Sequence, residues 1–173
     1  GKPEDHRYQA IRRNNSPGFA WKSLFIVFGL QAVLAGAIVL PLFAAIGAAT
    51  PLSSLDYLGA LLLLTGLGFE ALADWQLARF KADPANRGQV MDRGLWRYSR
   101  HPNYFGELGV WYSIYLFCAS FSASIVHYTL AGPILLTLLF IGSTLFTESI
   151  TKRKYPAYQA YQQSVPPILL KFW

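Results

Sequence analysis

Apolar and polar positions alternate along this chain in blocks rather than in short periods. Four apolar blocks stand out, at about 21–47, 57–78, 104–119 and 124–147. A helix that crosses a bilayer needs about 20 apolar residues, with a range of roughly 17–25. The third block is short for that and must either stand upright or borrow residues from the segment before it. The fourth contains Gly132 and Pro133, where a kink is expected. Backbone groups in lipid must be satisfied within the segment, so each block is expected to be a helix. The pattern predicts an all-α, polytopic membrane helix bundle of about four transmembrane helices. It forms one domain over 1–173, with the lipid bilayer as its partner.

The polar blocks between them are strongly sorted by charge. Lys2, Arg7, Arg12, Arg13 and Lys22 lie at or before the first block. Arg79, Lys81, Arg87, Arg93, Arg97 and Arg100 lie between the second and third. Lys152, Arg153, Lys154 and Lys171 follow the fourth, and these three groups hold every Lys and Arg in the chain. The connections 48–56 and 120–124 hold none. By the positive-inside rule both termini and the 79–103 loop are expected to be cytoplasmic.

Composition agrees with this class. The chain is 53% hydrophobic and 14% charged, where a soluble domain carries about a quarter charged residues. The net charge of +6 therefore points to membrane topology and not to nucleic acid. No signal-peptide pattern opens the chain, and with Gly at position 1 it reads as a fragment or a processed form. The single Cys118 has no partner for an internal disulfide and fits as small apolar filler. His6, His101, His127 and Cys118 show no metal-ligand spacing, so no metal is expected.

Four carboxylates break the apolar blocks. Glu70 and Asp74 are four apart and share a helical face. Glu107 lies early in the third block and Glu148 late in the fourth. The topology puts all four at one depth, beside the basic loop. Ionisable groups inside a membrane face a bundle interior or a water-filled cavity and mark function; the alternative is structural ion pairs at helix ends. In the loop, Asp83-Pro84 and Arg93-Gly94 are turn signals. Pro102 suits a first helical turn, with Ser99 or His101 near the cap. A helix N-terminus flanked by Arg100 and His101 is an anion site. Further on, Tyr155, Tyr158 and Tyr161 are spaced by three. They form either an interfacial belt or, through Tyr158 with Arg153, a closure over a ligand. No P-loop, GxGxxG or GxSxG is present, so a nucleotide cofactor would need a non-Rossmann site.

The segment Gly94-Leu-Trp-Arg-Tyr-Ser-Arg-His-Pro-Asn-Tyr-Phe-Gly-Glu107 resembles the signature of a bacterial membrane protein family of unassigned activity. That family is grouped with the steroid 5-alpha-reductase C-terminal domain. The opening Gly1-Lys-Pro-Glu-Asp-His-Arg-Tyr8, the stretch Glu70…Asp74-Trp-Gln76…Phe80-Lys81 and Tyr155-Pro-Ala-Tyr158 resemble it too. The resemblance implies that Asn103 and Glu107 contact NADPH, with Asp74, Lys81, Tyr98, Glu148 and Tyr158 lining the same pocket. It implies reduction of a carbon–carbon double bond conjugated to a carbonyl, in a hydrophobic small-molecule substrate. The basic loop would take the phosphates and the carboxylates the ribose or nicotinamide groups. A bacterial inner membrane is the expected location.

Two departures matter. Arg100-His101-Pro102 matches sterol reductases and isoprenylcysteine carboxyl methyltransferases, so His101 and Tyr104 suit S-adenosylmethionine as well as NADPH. The reductases also carry further N-terminal helices that protonate the substrate carbonyl, and this chain starts after them; no catalytic residue is assigned. A non-catalytic membrane subunit, in which the motif only packs helices, is the third expectation.

Overall fold

The computed structural model describes residues 6–46, 51–122, 124 and 126–171. It is 78% helical, and no strand occurs among the described residues. Two compact units divide the chain, Gly1–Ala37 and Ile38–Trp173.

The first unit begins with α1 (His6–Asn14), whose last turn carries Arg12 and Arg13. Gly18, at φ +83°, turns the chain into α2 (Phe19–Ser23). A π-helical stretch, Leu24–Gly29, leads on into α3 (Leu30–Ile46), whose residues from Ile38 on are counted in the second unit.

The second unit is built on three long helices: α4 (Ser54–Ala82), α5 (Pro102–Ser122) and α6 (Ala131–Lys154). A short α7 (Tyr158–Ser164) follows. α4 starts at a capping box: Leu55 N–H donates to Ser53 Oγ at 3.2 Å, and Ser53 N–H donates to Asp56 Oδ2 at 2.7 Å. It ends where Pro84 cannot continue it. α6 begins only at Ala131, so Pro133 stands in its first turn. A missing N–H breaks no ladder bond there. The Gly132–Pro133 pair falls in the first turn of α6, directly after a 3₁₀ turn at Tyr128–Leu130.

Among the described residues, two helices are long and apolar enough to cross a membrane, Ser54–Ala82 and Tyr128–Lys154. Their apolar side chains face outward. Leu58, Leu61, Leu64 and Leu67 on α4 are exposed, as are Leu138, Leu139, Ile141 and Leu145 on α6. An outward apolar surface of that extent belongs in lipid, not water. α5 is the helix between them in packing terms, and buries Gly106, Ser113, Tyr115, Cys118 and Ala119.

α4 and α5 meet with their backbones almost in contact. A Cβ on Gly66 would lie 2.7 Å from the Gly106 carbonyl oxygen, and one on Gly106 would lie 2.6 Å from Glu70 N. Small residues at such a crossing let membrane helices pack by dispersion alone. On its other side α5 packs Tyr104, Phe105, Leu108 and Trp111 against Leu136, Phe140 and Ile168. The C-terminal tail is stitched to the start of α5. Arg100 N–H donates to Pro166 O at 3.0 Å, Ser99 Oγ to Ile168 O at 2.8 Å, and Lys171 N–H to Tyr98 O at 2.9 Å.

Candidate functional site

The polar residues of the second unit sort into two groups of opposite character. One gathers around Glu148, which is 3% exposed on α6. Arg100 is 8% exposed and sits just before α5. Its Nε lies 2.8 Å from Glu148 Oε1 as an ion pair, off the line of a hydrogen bond. His101 Nε2 is 3.2 Å from the same oxygen. The Tyr158 hydroxyl donates to it at 3.1 Å, while Gln162 Nε2 donates to Oε2 at 2.6 Å. Arg100 Nη1 in turn donates to the Gln162 carbonyl at 2.6 Å. One carboxylate thus receives four side chains from α7 and the start of α5.

Burial lowers the His101 pKa below its ordinary value of 6.5, and the contact with Glu148 opposes this only in part. The imidazole is therefore neutral near pH 7 and places its Nε2–H on Glu148. Its other face stacks on Tyr104, centroid to centroid 5.0 Å, and Tyr104 stacks on Phe140 at 4.2 Å. Burial, followed by the Glu148 charge, pushes the Tyr158 phenol well above the usual range. Burial does the same to Tyr161. Both stay protonated donors. Tyr161 gives its proton to the Trp96 carbonyl. Tyr158 and Tyr161, with Val165, form a small core with Val90 and Tyr155 against it. Tyr158 and Tyr161 are accordingly buried rather than an interfacial belt, because the loop before α5 covers them.

The other group lies across the α4–α5 crossing. Glu70 and Asp74 feel each other's charge, and Glu107 feels both. The Gly66–Gly106 contact brings α4 close enough for this. Glu107 accepts a hydrogen bond from the Trp111 side chain, and no Lys or Arg forms an ion pair with any of the three among the described residues. One turn before Glu107, on the same face of α5, Asn103 has a buried Oδ1 with no hydrogen-bond partner. Buried polar atoms are nearly always satisfied, and an orphan needs an explanation.

The structure therefore redistributes the residues singled out by sequence. Arg100, His101, Glu148 and Tyr158 come together, with Tyr104 stacked on His101. Asp74, Asn103 and Glu107 belong to the acidic group. Lys81 and Arg153 are exposed, and neither forms an ion pair with either group among the described residues. Tyr98 is exposed, and its carbonyl holds the C-terminal tail. Glu148 does not join the other three carboxylates. The sequence reading gave Ser99 only as a cap candidate and did not single out Gln162 or Trp111. The serine lay within the motif, but neither of the others carried a local signal.

The fold and its buried polar junction describe an all-helical protein of membrane character. The family profile described as "protein of unknown function (DUF1295)" matches residues 1–165, and the chain belongs to that family, one of steroid 5-alpha-reductase-like membrane proteins. An uncharacterized protein of Schizosaccharomyces pombe is 42% identical over 88 residues, which is 50% of this chain and 26% of the relative. The chain thus spans about a quarter of that relative's length. No solved structure matches it.

Proposed function

We propose that this chain is the cofactor-holding part of a multi-pass membrane reductase, with both termini and the 79–103 loop at the cytoplasmic face. It would use NADPH to reduce a conjugated carbon–carbon double bond in a lipid-like or steroid-like substrate. The observation that carries this reading is the orphaned Asn103 Oδ1 beside Glu107, Glu70 and Asp74. All four offer acceptors that meet no protein donor among the described residues, save the Trp111 bond to Glu107. Ribose hydroxyls and a nicotinamide amide are donors of the required kind, so the residues fit that half of the cofactor. Asn103 and Glu107 would orient it, with Glu70 and Asp74 completing the acceptor wall. Bound NADPH supplies the hydride.

A second reading draws on the same carboxylates. Without a paired Lys or Arg, they also suit a cationic ligand, as in an S-adenosylmethionine-dependent methyltransferase whose cofactor bears a sulfonium and an ammonium. Binding of NADPH and of S-adenosylmethionine, measured side by side on the detergent-solubilised full-length protein, separates the two. The reductase reading expects NADPH binding lost in Asn103→Ala and Glu107→Gln with folding intact. Binding of S-adenosylmethionine alone overturns it.

A further inference from the structure

A cleft of about 350 Å³ opens at the C-terminal end of α4, lined by Trp75, Gln76, Arg79, Phe80, Asp83 and Arg93 among others. It is not part of the acidic group. At 100° per residue, Glu70 and Asp74 lie on one side of α4. Trp75, Gln76, Arg79 and Phe80 are centred on the opposite side.

The cleft is a built feature. Leu95 N–H donates to Gln76 Oε1 at 2.9 Å, Trp96 Nε1 to the Ala73 carbonyl at 3.0 Å, and Asn86 Nδ2 to the Phe80 carbonyl at 2.9 Å. Gly94, at φ +59°, also lies so close that a Cβ would come within 2.5 Å of Gln76 Oε1. These contacts hold the 83–97 loop against the helix as the second wall. Each wall presents a guanidinium over an aromatic ring: Arg79 over Trp75 at 5.5 Å and Arg93 over Phe80 at 5.8 Å. Ring stacking fixes the plane of an arginine and leaves its N–H edge open for a two-pronged contact. Arg79 makes no ion pair among the described residues, and Arg93 only a loose, exposed one with Asp92 at 4.0 Å. Asp83 is the one carboxylate among the residues named in the lining. Its Oδ1 is engaged by Ala85 N–H at 2.9 Å.

We propose that this cleft binds a phosphate-bearing anion, and that the headgroup of an anionic phospholipid is its natural source. It lies where the apolar face of a candidate spanning helix ends. Trp75 is 55% exposed there, at the level where tryptophan and arginine meet lipid headgroups. The proposal does not depend on the reductase reading.

Native mass spectrometry of the detergent-solubilised full-length protein tests it. Dioleoylphosphatidylglycerol, dioleoylphosphatidylcholine and inorganic pyrophosphate are titrated in parallel, for the parent chain and for R79Q, R93Q and R97Q, each checked for unchanged helicity. The expected result is preference for phosphatidylglycerol over phosphatidylcholine, whose choline brings a cation toward the arginines. That binding should weaken about tenfold in R79Q and in R93Q, and stay unchanged in R97Q, whose arginine lies outside the lining. Pyrophosphate that displaces phosphatidylglycerol and fails in the same two variants would support the phosphate site and make a soluble phosphate its source. Equal binding of the two lipids without pyrophosphate binding, or an R97Q loss as large as that of R79Q, would overturn the proposal, since diffuse surface charge would then explain the data.

Discussion

The Glu148 junction and the Glu70–Asp74–Glu107 group are both clusters of charged and polar residues, yet they are opposites in their accounting. At the first, both carboxylate oxygens meet donors, and Arg100 brings its opposite charge to 2.8 Å even though its Nε lies off the line of a hydrogen bond. At the second, three like charges face one another and an amide oxygen has no partner. Satisfied polar networks specify a structure and hold it. Unsatisfied ones reduce stability, and persist where a ligand completes them. By that contrast the junction is a clasp joining the start of α5, the end of α6 and α7, and the acidic group is where the proposed cofactor would bind.

Breaking the clasp should have the largest effect. Glu148→Ala would leave Arg100 buried without its counter-charge, which costs about 3–5 kcal/mol. Chemical unfolding in detergent micelles should register that loss. A change under 1 kcal/mol would mean the clasp is not what holds α7. Tyr161→Phe removes a buried donor from the Trp96 carbonyl and should cost about 1–2 kcal/mol by the same measurement. The acidic group should respond in the other direction. Glu107→Gln relieves like-charge repulsion and should leave stability unchanged or raise it by up to about 1 kcal/mol, while cofactor binding is lost. Destabilisation of the size seen for Glu148→Ala would erase the contrast between the two groups.

The smallest effect is in pH. His101 has a folded pKa below its unfolded value of about 6.5. The unfolded chain therefore binds the proton more readily, and stability is full above that pH. It declines as pH falls through 6.5 toward the lower folded value. Unfolding free energy followed from pH 7.5 to 5.5 should show this slope. His101→Gln should flatten it, and an unaltered slope would assign the titration to another group.

Much of this protein was legible in the order of its residues. The long apolar runs, the Asp83-Pro84 turn signal and the Pro102 start predict helices and helix ends that the structure contains, because helix length and ends depend on near neighbours. The acidic pair on α4 followed from spacing alone. Partnership across helices did not follow. Arg100 and Glu148 are forty-eight residues apart, and nothing local distinguishes a glutamate that meets an arginine from one that meets other glutamates. The close backbone contact at Gly66 and Gly106 set Glu107 beside Glu70. The docking of α7 under the loop turned the tyrosine stripe inward and gave Glu148 its donors. Helix type and extent are written in one dimension; which charges cancel and which remain depends on distances across helices, and those exist only once the helices have packed.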